Sequence, residues 1–152
     1  MPKILEIAIK NVTFGTNVTI IKPCNLYDCK LQDNVFVGPF VEIQNDVIIG
    51  QNTRIQSHSF ICAHVNIGSN CFIAHGVMFV NDKFYNGKLA KELLKTSIGD
   101  NVLIGSNATI LPVTICSNVT IGSGTVVTKD ISKPGIYAGN PAVLIKEIET
   151  LA

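Results

Sequence analysis

The chain is short of charge. Only 15% of its 152 residues are Asp, Glu, Lys or Arg, and the net charge is +1. Nucleic acid and anionic membranes need a basic surface, so neither is an expected partner. Long apolar runs are missing too. The opening MPKILEIAIKNVTF alternates apolar and polar residues, unlike a signal peptide or a membrane span. A soluble, cytoplasmic protein is the expectation. No CxxC pair occurs among the five cysteines, Cys24, Cys29, Cys62, Cys71 and Cys116. They are read as small core or turn residues kept reduced.

What is present is a beat of six residues. An aliphatic or aromatic residue recurs at Leu31, Val37, Ile43, Ile49, Ile55, Ile61, Ile67, Ile73 and Phe79. The beat resumes at Ile98, Ile104 and Ile110, then at Ile115, Ile121 and Val127. A strict period of this kind indicates a β-solenoid, in which each repeat is a short strand and a turn. Two steps are one residue short, Leu26 to Leu31 and Ile110 to Ile115. The position after the beat is often Gly, the third is often Asn, and the fourth is small or β-branched, as at Cys71. Beat and fourth residues should point inward. Asn and Gly should mark the corners, because both tolerate left-handed backbone.

The beat breaks once, over NDKFYNGKLAKELLKTS, residues 81–97, which carries six charges. KLAKELLK within it has helix-forming composition. A long excursion from a rigid solenoid is usually functional. Near the end, Leu144, Ile148 and Leu151 have helical spacing. A short amphipathic helix over 142–151 is expected to cap the solenoid.

The repeat pattern, an aliphatic residue followed by Gly and later by a small residue, resembles the hexapeptide-repeat acyltransferases. The resemblance covers roughly residues 12–132. It implies an all-β chain: a left-handed parallel β-helix, triangular in section, with three hexads per coil. The expected organisation is one domain over 1–152, with the β-helix at 12–132, the loop at 81–97 and the C-terminal helix at 142–151.

Two segments sharpen the resemblance. Residues 104–148 end in TKD and GNPA and look like the acetyl-CoA end of these enzymes. The resemblance implies that Ser106 and Ser123 touch the pantetheine arm. It puts Thr128, Lys129 and Lys146 near the adenine and its phosphates, where a lysine suits a phosphate as a point charge. One departure is LPVTI, where the family usually has LPGVTI; it would shift the coil beside acetyl-CoA. The second segment, FICAHVNIGSNCFIAHGVMFVND, resembles N-acetyltransferases acting on nucleotide-linked amino sugars, especially 3-amino sugars on dTDP or UDP. That implies a nucleotide-sugar substrate held between subunits of a homotrimer. No metal is expected.

Three hexads per coil would stack residues 18 apart, about 4.8 Å from one another. Asp46, His64 and Asp82 then share a column, Ser57 lies under His75, and His58 under Gly76. His58, His64 and His75 are candidate site residues, with His75 the first choice near the acceptor amine. Tyr85 is a candidate for stacking on a base or sugar. Related sugar O-acetyltransferases carry a loop histidine to deprotonate a hydroxyl, and the loop here has none. An amine needs only to lose its extra proton before attack. Asn81 would accept a hydrogen bond from that amine or orient a water, and Asp82 would attract the ammonium form. The expected reaction is direct amine attack on the thioester, with backbone N–H groups holding the oxyanion. The main alternative is an O-acetyltransferase of a sugar or serine hydroxyl with His75 as base. A zinc enzyme on this fold would need three converging ligands, whereas His58 and His64 fall on successive corners and diverge. An ice-binding face would need a flat threonine ladder, and the threonines are scattered.

Overall fold

The computed structural model describes residues 1–149. Its strands, mostly two or three residues long, wind around three faces. Face one stacks seven strands, face two six and face three eight. Strands from successive coils pair in parallel, as Leu26 with Ile43 and Ile43 with Ile61. The arrangement is consistent with the left-handed β-helix implied by the resemblance.

The beat residues fill the interior. Leu26, Ile43, Ile61 and Phe79 line face one from within and are fully buried. Each such side chain contributes roughly 1.5–3 kcal/mol of burial. The small inward position also hosts satisfied hydroxyls. Thr53 Oγ1 donates to the Gly68 carbonyl at 2.8 Å and accepts from Cys71 N at 3.0 Å. Ser59 repeats this with Ala74 and Val77 at 2.8 and 3.2 Å.

The corners separate two roles that the sequence pattern merges. Left-handed backbone is confined largely to the third position after the beat, at Asn34, Asn52, Asn70, Asn101, Asn107 and Asn118. Asn34, Asn52 and Asn70 also form a side-chain ladder with steps of 3.0 and 3.1 Å. The glycines just after the beat have no positive φ; Gly76 and Gly124, which do, stand at the third position. They are required by closeness. A Cβ on Gly50 would lie 2.4 Å from the Gly68 backbone, and one on Gly68 would lie 2.5 Å from the Gly99 carbonyl oxygen.

Departures from the period collect on one corner, between faces one and two. There Ile43 to Ile49 and Ile61 to Ile67 keep six residues. Ile9 to Phe14, Leu26 to Leu31 and Ile110 to Ile115 take five, and Val127 to Ile131 takes four. The excursion sits on the same corner, between Phe79 and Ile98. At the other two corners the six-residue step holds, as in Ile67 to Ile73 to Phe79 and Ile98 to Ile104 to Ile110. The shortened LPVTI corner leaves the ladder intact: Ile98 pairs with Ile115, and Leu103 with Thr120. Its shortening is absorbed at Leu111–Val113.

Two helical expectations fail. Val143–Glu147 is a strand, antiparallel to Gly135–Ala138 on face three, so the C-terminal cap is a hairpin. Its side chains are exposed, so no buried stripe selects a helix, and pairing with a free sheet edge decides the conformation. Leu151 lies outside the described residues. KLAKELLK is not helical either; before the strand Thr96–Ile98 the excursion contains only a 3-10 turn at Tyr85–Gly87. A segment of this length has too few internal bonds to offset helix nucleation without a packed face.

Candidate functional site

The candidate residues divide between the two corners that flank face one. The regular corner, between faces three and one, carries Ser57–His58, His75–Gly76, Ser106–Asn107 and Ser123–Gly124. Ser57 Oγ and His75 Nδ1 are 2.9 Å apart. Asn107 N donates to the His75 carbonyl at 2.9 Å, and Gly124 N to the Ser106 carbonyl at 2.8 Å. His75, Ser106 and Ser123 therefore rise in one column. His58 holds a left-handed conformation at φ 64° and faces the Phe40 ring, centroids 5.0 Å apart.

The variable corner carries Asp46, His64, Asn81 and Asp82. His64 Nδ1 lies 3.5 Å from Asp46 Oδ2. The expected third member of that column is engaged elsewhere. Asp82 Oδ1 accepts from Phe84 N and Oδ2 from Ala90 N, both at 2.8 Å. The carboxylate thus organises the excursion, which leaves less of it for a substrate ammonium. The excursion closes where Leu94 N donates to the Asn81 carbonyl at 2.9 Å. Asn81 is half-buried, and among the described residues its side-chain amide makes no hydrogen bond. Tyr85 stands outward on the 3-10 turn, 81% exposed.

Two cavities flank this neck. On face two, one of about 500 Å³ is lined by Asp46, Ile48, His64, Asn66, Lys95 and Ser97, with Val65 and Thr96. On face one, one of about 380 Å³ lies beneath the excursion, walled by Phe60, Cys62, Val80, Phe84, Leu89 and Leu93, with Gln44, Asn81 and Asp82. Sequence periodicity does not reveal Lys95 or this apolar wall, because both depend on how the excursion folds back.

The other candidates do not all converge within one chain. Thr128 and Lys129 follow face one's last strand, Val126–Val127, toward the variable corner. Lys146 sits on face three, opposite Ile136. Thr128–Lys129 and Lys146 are therefore on different sides of the prism. The same holds for His75 and Asn81, which stand at opposite edges of face one. Burial pushes the Cys29 and Cys62 thiols up to about 11 and raises those of Cys24 and Cys71. At neutral pH these are protonated core thiols, poor nucleophiles.

Comparison with known proteins follows the same lines. Residues 28–63 match the family described as bacterial transferase hexapeptide (six repeats), and residues 95–129 the hexapeptide repeat of succinyl-transferase. Both stretches are therefore hexapeptide-repeat sequence, in keeping with the period of six. The galactoside O-acetyltransferase of Escherichia coli is 51% identical over 53 residues, 34% of this chain and 26% of that protein. Bifunctional protein GlmU of Buchnera aphidicola is 56% identical over 41 residues, 26% of this chain and 9% of that protein. This hexapeptide-repeat protein thus spans less than a third of the length of the curated relatives it matches. Among solved structures, a galactoside acetyltransferase in complex with coenzyme A is 34% identical with a TM-score of 0.69, covering 78% of this chain and 64% of that one. AntD, an N-acyltransferase from Bacillus cereus in complex with dTDP and coenzyme A, has a TM-score of 0.78 at 22% identity, covering 93% and 86%. At that identity the likeness is one of fold.

Proposed function

We propose that this hexapeptide-repeat protein is an acyl-CoA-dependent N-acyltransferase acting on the amino group of a nucleotide-linked amino sugar, with acetyl-CoA as the simplest donor. The observation that carries the reading is the loop entrance: Asn81 presents a free amide beside a cavity, and the excursion has no histidine. His75, the candidate base for a hydroxyl, is paired with Ser57 rather than with a carboxylate and stands at the opposite edge of face one. Among the described residues no carboxylate orients its ring in the way a catalytic triad does.

In the proposed reaction Asn81 Oδ1 accepts a hydrogen bond from the sugar amine. The nitrogen lone pair attacks the thioester carbonyl carbon, the C–N bond forms and the C–S bond breaks. The departing thiolate takes the nitrogen's proton, giving an amide and free CoA. Ser106 and Ser123 would follow the pantetheine arm along the regular corner, and Thr128, Lys129 and Lys146 would serve the adenine end. His58 and His64 would border the acceptor. The candidate groups lie on separate sides of one prism, which favours a homotrimer whose subunits complete each other's sites. The reading is of a soluble cytoplasmic enzyme; among the described residues no helix is long and apolar enough to cross a membrane.

The test is thiol release from acetyl-CoA against dTDP- and UDP-linked 3-amino sugars, a 4-amino sugar and their hydroxyl counterparts. Turnover confined to an amino sugar, lost in Asn81→Ala, is the expected result. Turnover with hydroxyl acceptors that is abolished by His75→Gln would replace this reading with the O-acetyltransferase.

A further inference from the structure

The cavity beneath the excursion is more apolar than a polar acceptor requires. Its wall is formed by Phe60, Cys62, Val80, Phe84, Leu89 and Leu93. Two of its three polar members already serve the protein. Gln44 donates through Nε2 to Glu42 at 2.9 Å and accepts through Oε1 from Ala63 N at 3.2 Å. Both oxygens of Asp82 accept from loop backbone. Only Asn81 remains. Although Phe84, Leu89 and Leu93 leave it open to solvent, a sugar ring or diphosphate lying against this wall would find no polar partner but Asn81. An aliphatic group loses nothing of that kind.

The position of the cavity narrows the choice. It adjoins Asn81, the residue assigned above to the acceptor amine. Two groups radiate from that nitrogen as the amide forms, the sugar and the acyl chain. The sugar is polar at nearly every carbon; the acyl chain is not. At about 380 Å³ the space falls at the small end of ligand pockets and is far larger than the methyl of an acetyl group. We propose that this cavity is an acyl-chain pocket, and that the preferred donor carries an aliphatic acyl group longer than acetyl. The inference rests on the acyl-transfer reading and deepens it. The bonds made and broken are those of the reaction above, with the chain changed and the thioester chemistry unaltered.

Calorimetric titration of the full chain with CoA, acetyl-CoA, butanoyl-CoA, 3-methylbutanoyl-CoA and hexanoyl-CoA tests it without a known acceptor. Each methylene buried in a fitting pocket favours binding about fourfold. At least one longer donor should bind about tenfold or more tighter than acetyl-CoA. Val80→Phe, which points a ring into the cavity from the outer side of face one, should erase that gain and leave CoA affinity unchanged. Leu89→Trp fills the same space from an exposed loop position, where folding is not at stake. Equal binding of acetyl and longer donors, or a gain that survives both variants, overturns the acyl pocket while leaving acyl transfer intact. Failure of every CoA species to bind overturns both.

Discussion

The two corners bordering face one are built from the same repeat and obey different rules. At the corner of His75, Ser106 and Ser123, the step is six residues in coil after coil, and each turn stacks on the one below through a backbone hydrogen bond. At the corner of His64 and Asn81 the chain takes four, five, six or nineteen residues without disturbing strand pairing. The solenoid therefore does not need identical turns everywhere. It needs two regular corners and a continuous core, and the third corner can then vary in length. The loop, both cavities and most candidate acceptor residues lie at the variable corner.

Four experiments would break or sharpen this contrast. The largest effect should come from Gly68→Ala, at the regular corner between faces two and three. The added Cβ meets the Gly99 carbonyl oxygen at 2.5 Å, a backbone atom that cannot turn aside. A loss of about 3 kcal/mol in urea-induced unfolding, the upper end for overpacking, is expected. A loss under ~1 kcal/mol would mean that the coils can separate locally. Asn52→Ala should come next. It forces a left-handed φ of 59° on alanine and removes the middle rung of the Asn34–Asn52–Asn70 ladder. The expected cost is about 1–2 kcal/mol, and Asn52→Gly should recover part of it.

The third experiment asks whether the variable corner is dry inside. Cys29 and Cys62 both lie there, and burial holds each thiol near 11, above its ordinary value of 9.0. The folded state thus favours the protonated thiol. Its stabilising contribution is complete below pH 9 and is lost as pH rises from 9 to 11. The thermal midpoint should fall across that window, and less so in the Cys29→Ala, Cys62→Ala double variant. An identical alkaline limb in wild type and variant would show that water reaches both thiols. The smallest effect is expected from inserting one Gly after Leu111, which restores a six-residue step at the shortened turn. Stability should stay within about 1 kcal/mol. The same insertion after Ser57 at the regular corner should cost several times more.

How much of this was legible in the sequence depends on whether the period governs the residue. Beat residues such as Ile43 and Phe79 occupy the core because a six-residue step returns the chain to the same inward direction. The pairing of Ser57 with His75 and of Asp46 with His64 follows from coil length alone. Glycine after the beat was legible as a signal but for a different cause: the space between coils, not the sign of φ, excludes a side chain at Gly50 and Gly68. Where the period stops, so does the reading. Asp82 serves its own loop because Phe84 and Ala90 turn back toward it, a closure with no counterpart elsewhere in the chain. Val143–Glu147 forms a strand because the edge of Gly135–Ala138 is open to it, although Leu144 and Ile148 have helical spacing. Both outcomes are decided by partners distant from the local pattern.

The variable corner also bears on how such a chain diverges. Insertions and deletions are usually more disruptive than substitutions, because they displace everything downstream. Here they run along one line parallel to the solenoid axis, and the next strand re-enters its ladder after each of them. Descendants of this chain can therefore gain or lose residues at the edge of the cavities while inheriting the same core. Changes in length would alter ligand choice before they alter folding, and related chains should differ in size chiefly at this corner.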